Sequence, residues 1–232
     1  MDNSVALITG ANTGIGKEIA RQLAAEGLTV YVGSRDAGRG RAAVEEIGGD
    51  ARLLQLDVTD AASIAAAARE IAVLDILVNN AGISLEAKAP DQQDVDEFRR
   101  VYETNVFGVV AVTNAFLPAL RRSAHPRIVN MSSSTGSLAV AAEQGSSAFA
   151  AYRSSKTALN MLTVLYANAL APDGILVNAT APGLRRTGLN ARAAADGGDP
   201  AEGAAGAVRL ALLPDDGSSG EFLSWDGTRV PW

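Results

Sequence analysis

The amino-acid sequence predicts an α/β fold in which a parallel sheet of about seven strands carries helices on both of its faces. Short apolar runs alternate along the chain with alanine-rich amphipathic segments. Strands that are covered on both faces are apolar almost without interruption, and helices between parallel strands form right-handed crossovers. These two patterns together indicate a doubly wound sheet.

The predicted strands are the apolar runs Val5–Thr9, Thr29–Gly33, Arg52–Asp57, Ile76–Asn79, Arg127–Met131, Ile175–Ala179 and Phe222–Ser224. The predicted helices are the amphipathic segments Gly16–Glu26, Arg39–Ile47, Ala61–Ile71, Val95–Arg122, Ala151–Leu170 and Ala201–Leu213. Asp60 and Pro200 stand where helix-start signals are expected.

Three longer loops follow predicted strands, at Gly82–Gln93, Ser133–Phe149 and Gly183–Asp199. Open α/β sheets bind ligands at the carboxyl ends of their strands, so we expect functional residues in these loops. The segment after Thr187 has few large apolar side chains, which favours an open, permissive substrate site. We expect residues 1–232 to form one domain, with cofactor contacts in its N-terminal part and catalytic and substrate contacts in its C-terminal part.

The composition disfavours several classes of function. A net charge of −6 and a pI of about 4.9 disfavour non-specific binding to nucleic acid. The chain has no cysteine and one histidine, His125, so thiolate and multi-histidine metal sites are excluded and no metal is expected. Met1–Ser4 lacks basic residues and leads into a short apolar run, which predicts a cytoplasmic protein without a signal peptide or a membrane span.

The first predicted strand and helix are joined by a glycine-rich segment of the form Gly-x-x-x-Gly-x-Gly. Gly10 permits a tight turn, Gly14 lets the backbone approach a diphosphate, and Gly16 lets the helix pack close to the strand. The helix N-terminus adds N–H donors and a partial positive charge. A turn without a ligand is the alternative, but the position after the first strand favours a dinucleotide site in a Rossmann fold. The expected cofactor contacts are Gly10, Asn12, Thr13, Gly14, Ile15 and Gly16.

The end of the second predicted strand bears on which dinucleotide is bound. Arg35 can pair with an adenosine 2′-phosphate, Ser34 can donate a hydrogen bond to it, and Arg39 adds positive charge one turn later. Asp36 can instead bond a ribose 2′-hydroxyl, which is the usual role of an acidic residue near this place in NAD sites. The sequence therefore favours NADP(H) and leaves NAD(H) open.

Two further strand ends supply expected cofactor contacts. Asp57 and Val58 end the third strand, where an adenine ring would lie. Asn80, Ala81 and Gly82 follow the fourth strand, at the expected position of the nicotinamide ribose. Asparagine and glycine also stabilise ordinary strand-end turns, and the two interpretations are compatible.

Tyr152 and Lys156 are one helical turn apart, so their side chains share a helix face. A phenol with an unperturbed pKa of about 10 is a weak acid at neutral pH. A neighbouring ammonium favours the phenolate, so Lys156 is expected to lower the pKa of Tyr152 toward the working range of a general acid–base. For this spacing taken alone, a surface pair without chemistry is the alternative.

Four motifs occur in order along the chain: Thr-Gly-x-x-x-Gly-x-Gly, Asn-Asn-Ala-Gly, a serine ahead of Tyr-x-x-x-Lys, and Pro182-Gly183 after the sixth strand. Together they resemble the short-chain dehydrogenase/reductase superfamily, in its single-domain branch, from Val5 to Trp232. The resemblance implies a nicotinamide cofactor at the glycine loop and a small-molecule carbonyl or alcohol substrate. It also implies that Pro182, Gly183 and Thr187 contact the carboxamide of the cofactor.

The resemblance further implies a catalytic set of Asn105, Ser133, Tyr152 and Lys156. The asparagine would bend its helix and bind a water in a proton relay, the serine would bond the substrate oxygen, and the tyrosine would protonate it. The lysine would also bind the nicotinamide ribose. The pattern Ser-Ser-x-x-Gly selects Ser133, with Ser132 or Ser134 as the alternatives.

The implied function is the reversible, NADPH-dependent reduction of ketones or aldehydes to alcohols. An NAD-dependent alcohol dehydrogenase of the same superfamily and a non-catalytic NAD(P)-sensing protein on the same fold are the alternatives. The interval from Ser133 to Tyr152 is longer than in the shortest members and resembles the carbonyl-reductase group. An insertion there can obstruct dimerisation, so a homo-oligomer and a monomer both stay open.

Overall fold

A parallel sheet of seven strands, in the order β3-β2-β1-β4-β5-β6-β7, forms the centre of the computed structural model, which describes residues 4–232. The strands are β1 (Val5–Ile8), β2 (Thr29–Ser34), β3 (Ala51–Gln55), β4 (Ile76–Asn79), β5 (Arg127–Met131), β6 (Leu176–Ala181) and β7 (Phe222–Ser224). Every neighbouring pair is parallel, so the predicted doubly wound sheet is confirmed. Residues 1–3, on which the expectation about the chain start depends, lie outside the described residues.

The helices are α1 (Gly14–Ala25), α2 (Ala37–Ile47), α3 (Ala61–Glu70), α4 (Val95–Tyr102), α5 (Gly108–Leu120), α6 (Leu138–Gln144), α7 (Ala150–Leu170), α8 (Ala191–Asp196) and α9 (Pro200–Ala211). Short 3₁₀ turns cover Ser134–Gly136 and Ala171–Asp173. Across residues 4–232, no helix combines the length and the apolar character that crossing a membrane requires.

The side chains of β1 enter two separate hydrophobic layers, because successive residues of a strand point to opposite faces. Ala6 and Ile8 pack with residues of α1 and α9 in one layer. Leu7 packs with residues of α3, α5 and α7 in the other. The sheet is therefore buried on both faces, which explains the nearly continuous apolar runs of the sequence.

The chain is helical without a break from Val95 to Leu120, close to the predicted Val95–Arg122, but a π-helical segment at Glu103–Phe107 separates α4 from α5. Gly108 packs so tightly after this segment that a Cβ there would lie 2.8 Å from the backbone oxygen of Val58. The segment also carries Asn105, which is fully buried. A π turn inserts an extra residue into a helix and is frequent at functional sites.

Two of the predicted loops contain short helices. Helix α6 lies within Ser133–Phe149, as the length of that interval indicates, and ends at Gly145 with a left-handed φ of 62°. Helix α8 lies within Gly183–Asp199. Its first turn is capped by the side chain of Asn190, which accepts a 2.9 Å hydrogen bond from the Ala193 N–H.

A chain of buried polar side chains links the centre of the sheet to two helices. The amide of Asn79 on β4 donates to Asn130 on β5 at 2.9 Å and to Thr113 on α5 at 3.1 Å. Asn130 in turn donates to the Thr163 hydroxyl on α7 at 2.9 Å. A buried polar group that lacks a hydrogen-bond partner destabilises the fold. These hydrogen bonds therefore fix the positions of α5 and α7 relative to β4 and β5.

We expect Asn130→Ala to lower the free energy of unfolding by roughly 1–3 kcal/mol, because it removes a buried partner from both Asn79 and Thr163. Urea unfolding followed by circular dichroism measures the change. Asn114→Ala is the matched control, since Asn114 is exposed and bonded only to the Tyr166 hydroxyl among the described residues. Its effect should stay within about 0.5 kcal/mol. Equal losses in the two variants would contradict this account.

Candidate functional site

The glycine loop that joins β1 to the first turn of α1 contains three glycines at positions where a larger residue would be strained or would clash. Gly10 and Gly14 adopt left-handed φ values of 64° and 57°. A Cβ at Gly16 would overlap the side-chain nitrogen of Asn80 and lie 2.8 Å from the Gly10 oxygen. Thr13 is the N-cap residue of α1, yet its side chain accepts no hydrogen bond from the helix. The N–H groups of the first turn therefore have no capping side chain at Thr13 and can serve an anion.

The end of β4 is fastened to this loop through Thr9. The Thr9 hydroxyl accepts hydrogen bonds from the N–H groups of Asn80 and Ala81 at 3.0 and 2.9 Å. The Asn80 side chain donates to the Thr9 carbonyl at 2.8 Å and to the Gly10 carbonyl at 3.3 Å. Asn80 and Ala81 therefore lie beside the glycine loop.

A cavity of about 460 Å³ lies beside the glycine loop. Thr13 and Gly14 line one side of it, and Arg186, Thr187 and Gly188 from the loop after β6 line another. A Cβ on Gly14 would lie 3.1 Å from the Thr187 side chain, so the two walls are in close contact. A glycine cradle, a first helical turn without a side-chain cap and an adjoining cavity fit the diphosphate of a dinucleotide.

The end of β2 differs in part from the sequence interpretation. Ser34 is buried and its hydroxyl donates to the Asp36 carbonyl at 2.8 Å, so its assignment as a donor to a 2′-phosphate is not supported. The physical reason is close packing, since a Cβ on Gly40 of α2 would lie 3.0 Å from the Ser34 Cβ. Arg35 and Arg39 are exposed.

Asp36 acts as the N-cap of α2 in this structure. Its carboxylate accepts a 2.9 Å hydrogen bond from the Arg39 N–H, and this bond is the main reason why the pKa of Asp36 lies below its usual value. The Arg39 guanidinium lies 3.9 Å from the same carboxylate. A carboxylate that caps a helix stabilises it and is drawn toward the helix rather than toward a ribose.

Asp57 and Val58 lie at the end of β3, next to Arg35. The Asp57 carboxylate accepts hydrogen bonds from the N–H and hydroxyl of Thr59 at 2.9 and 2.8 Å. The backbone bond from Thr59 chiefly holds the pKa of Asp57 below its usual value, and the positive charge of Arg35 adds to this effect. Val58 is partly buried against the core. Arg35 and Asp57 are therefore close enough to share a ligand at this edge of the sheet.

The buried amide of Asn105 joins the π-helical segment to two other parts of the site. Its oxygen accepts from the Ile83 N–H at 2.9 Å and its nitrogen donates to the Ile83 carbonyl at 3.0 Å. The same nitrogen donates to the Ser155 hydroxyl on α7 at 3.0 Å. Asn105 thus lies beside Gly82, where a Cβ would be 3.3 Å from the Asn105 oxygen and 3.6 Å from the Lys156 nitrogen.

The structure separates the roles of the consecutive serines after β5. Ser132 is buried and its hydroxyl is 2.5 Å from the Asn160 oxygen, so it belongs to the core. Ser133 is partly exposed, and its hydroxyl lies 2.9 Å from the Thr135 hydroxyl and near the Tyr152 phenol. Ser133 is the serine that faces the tyrosine, which favours it over Ser132 in the role that the resemblance implies.

Tyr152 and Lys156 lie together on the inner face of α7. The Lys156 nitrogen lies 5.7 Å from the centroid of the Tyr152 ring and donates to the Met131 carbonyl at 2.7 Å. Burial raises the pKa of Tyr152 to about 12, although the neighbouring Ser133 hydroxyl acts in the opposite direction. Burial also lowers the pKa of Lys156 to about 8. The expected lowering of the tyrosine pKa by the lysine is therefore wrong for this structure, because desolvation of the phenol raises its pKa instead.

The loop after β6 contains Pro182, Gly183 and Thr187. The side chain of Arg185 holds this loop to the rest of the protein. Arg185 is buried, donates to the Pro182 carbonyl at 2.7 Å and forms a 2.5 Å ion pair with Glu202. Its guanidinium also lies 4.4 Å from the centroid of the Trp225 ring.

Sequence reasoning missed Arg185, the Thr9 hydroxyl and Ser155. Ser155 lies within Tyr-x-x-x-Lys, where its helical spacing from Tyr152 was a usable signal. The burial of Arg185 had no local signal. It depends on glycines that are distant along the chain, such as Gly203, where a Cβ would lie 2.7 Å from the Arg185 side chain.

A doubly wound sheet with a glycine cradle and a serine–tyrosine–lysine cluster at its carboxyl edge is characteristic of dinucleotide-dependent oxidoreductases. A family model described as short chain dehydrogenase matches residues 4–197. The chain therefore belongs to the short-chain dehydrogenase/reductase family and is an NAD(P)-dependent oxidoreductase.

Several relatives support this assignment. Short-chain dehydrogenase/reductase ATR10 of Stachybotrys chlorohalonatus is 37% identical over 246 residues, covering 96% of this chain and 88% of the relative. The NADPH-bound carbonyl reductase from chicken fatty liver is 30% identical, with a TM-score of 0.87 over 100% of both chains. A 3-ketoacyl-(acyl-carrier-protein) reductase from Brucella melitensis, complexed with NADH, is 27% identical, with a TM-score of 0.86 over 96% of each chain.

The lysine pKa values can be tested directly, because the chain has three lysines: Lys17, Lys88 and Lys156. We expect the ¹³Cε signal of Lys156 to titrate near pH 8, since burial disfavours its charged form. Lys88 should titrate above its usual value because Glu97 bonds its ammonium. Selective ¹³C-lysine labelling and NMR measure both, with Lys156→Met for assignment.

The lowered pKa of Lys156 in the folded protein also predicts how the free energy of unfolding changes with pH. Below about pH 8 Lys156 is charged in both the folded and the unfolded state, and burying the charge costs stability. Between about pH 8 and the unfolded value near 10.5 the unfolded chain holds more protons, so this contribution to stability rises with pH. A Lys156 signal that titrates above that of Lys88 would refute this description.

Proposed function

We propose that the protein catalyses the reversible, NADPH-dependent reduction of ketones and aldehydes to alcohols. The observation that carries the proposal is the cluster of Ser133, Tyr152 and Lys156 at the carboxyl edge of the sheet. It combines a hydroxyl donor, a phenol and an ammonium beside a site that fits a nicotinamide dinucleotide. This set of groups suits a small carbonyl substrate, which needs a hydride at carbon and a proton at oxygen.

Ser133 and Tyr152 would act on the substrate oxygen. When bound, the reduced cofactor supplies the hydride that adds to the carbonyl carbon. The Ser133 hydroxyl would donate a hydrogen bond to the oxygen while negative charge develops on it. Tyr152, with a pKa of about 12, holds its proton at neutral pH and would give it to the same oxygen, forming the alcohol. In the reverse direction Tyr152 must be deprotonated before it accepts the alcohol proton.

Lys156 would stabilise the phenolate that remains after proton transfer. Its pKa of about 8 keeps it mainly protonated at neutral pH, and its bond to the Met131 carbonyl holds it beside the tyrosine ring. The same ammonium would bond the nicotinamide ribose. Asn105 would position these groups, because its amide ties the loop at Ile83 to Ser155 on the tyrosine-bearing helix.

The preference for NADPH is supported by the residues after β2. The Asp36 carboxylate caps α2 by accepting a hydrogen bond from the Arg39 N–H, which disfavours its use as a ribose ligand. Arg35 is exposed and lies near Asp57, where it would pair with a 2′-phosphate. The two solved relatives bind different cofactors, NADPH in one and NADH in the other, so the preference rests on the residues of this chain.

We expect Tyr152→Phe to lower kcat/KM for ketone reduction by about 10²–10⁴-fold, because it removes the proton donor and little volume. Consumption of NADPH with a panel of activated and unactivated ketones and aldehydes measures the loss. Tyr166→Phe is the control, since Tyr166 lies on the same helix but bonds Asn114 at the surface. Turnover that survives in Tyr152→Phe, or that falls equally in both variants, would overturn the proposed role.

We expect Arg35→Ala to raise the Kd for NADPH by roughly tenfold while the Kd for NADH changes little, because a charge-assisted bond to the 2′-phosphate is lost. Titration of protein fluorescence with each dinucleotide measures both constants. Arg41→Ala is the control, because Arg41 is an exposed arginine on α2. An unchanged NADPH affinity in Arg35→Ala would remove the basis for the cofactor preference.

A further inference from the structure

Arg186 lies on the wall of the cavity beside the glycine loop. It lines the same cavity as Thr13 and Gly14. Its side chain is exposed, and within residues 4–232 it forms no hydrogen bond or ion pair. A guanidinium without a partner on the wall of a cavity is available to an anionic ligand.

The other charged residues that line the cavity are already compensated. The Lys17 ammonium forms a 2.5 Å ion pair with Glu46. The Glu18 carboxylate accepts from the Arg21 guanidinium at 2.9 Å. Arg186 is thus the uncompensated charge among the cavity residues that the structure describes. The chain as a whole carries a net charge of −6, so an anion must be attracted by a local cation.

The position of Arg186 is fixed by its own backbone and by the residue before it. The Arg186 N–H donates to the Gly198 carbonyl at 2.8 Å. Arg185 is buried beneath it and is paired with Glu202. The two consecutive arginines therefore differ in environment, one serving as an anchor inside the protein and the other presented at the cavity. A guanidinium on an anchored backbone loses less entropy when it binds a ligand.

We propose that Arg186 binds the diphosphate of the dinucleotide in the cavity that it lines together with Thr13 and Gly14. The diphosphate carries negative charge in both NADPH and NADH, and Thr9–Gly16 contains no basic residue. Arg186 supplies the cation that this segment lacks, while Arg35 acts separately on the 2′-phosphate. This assignment rests on the proposed dinucleotide site and extends it by one residue.

The test compares Arg186→Gln with Arg35→Ala in fluorescence titrations with NADPH and NADH. Arg186→Gln should raise both Kd values by the same factor, roughly three- to tenfold, because the diphosphate is common to the two ligands. It should also reduce the dependence of Kd on salt concentration. Arg186→Lys should retain part of the affinity. Arg192→Gln, which changes an exposed arginine on α8, is the matched control and should bind like the unaltered protein.

Three results would overturn the assignment of Arg186. An unchanged Kd for both ligands in Arg186→Gln would show that the guanidinium does not reach the diphosphate. A loss confined to NADPH would move Arg186 to the 2′-phosphate. A higher KM for an acidic ketone with unchanged dinucleotide affinity would make it a substrate ligand. If the unaltered protein bound neither dinucleotide, the proposed function would fail together with this inference, whereas the first three results leave the function intact.

Discussion

The buried amide of Asn105 is the interaction on which the arrangement of the site depends. It connects the π-helical segment between α4 and α5, the loop that follows β4 and the helix that carries Tyr152 and Lys156. Three hydrogen bonds to two residues leave this side chain little freedom, and an unpaired amide in the core would cost free energy. The irregular helix is therefore the geometry that brings this amide within reach of elements that are distant along the chain.

Desolvation dominates the electrostatics around that amide. It moves the pKa of the phenol upward and that of the amine downward. The consequence is a phenol that keeps its proton and an amine that is near its titration point above neutral pH. A phenol that keeps its proton at neutral pH can act as a general acid.

The sequence predicts elements whose signal is local. The strands follow from their apolar runs, and the glycine loop follows from spacing, because each signal lies within a few residues. A bend at Asn105 is implied by the resemblance, but the close approach of Gly108 to Val58 beside the π segment has no local signal. The burial of Ser34 depends on Gly40 in the next helix, and the raised pKa of Tyr152 depends on the burial of its phenol in the folded protein. These features arise from tertiary contacts that no local pattern contains.

The anchoring of the loop after β6 bears on how fast the cofactor can be exchanged. Loops that close over a bound cofactor often limit turnover, because they must open before the spent cofactor leaves. Here Arg185 ties the loop to Glu202 and Trp225 without any ligand contact. Opening the loop would separate the buried Arg185 guanidinium from the exposed Glu202 carboxylate and from the Trp225 ring, which costs free energy. This anchoring favours cofactor exchange in which the loop stays in place and the ligand breaks its own contacts.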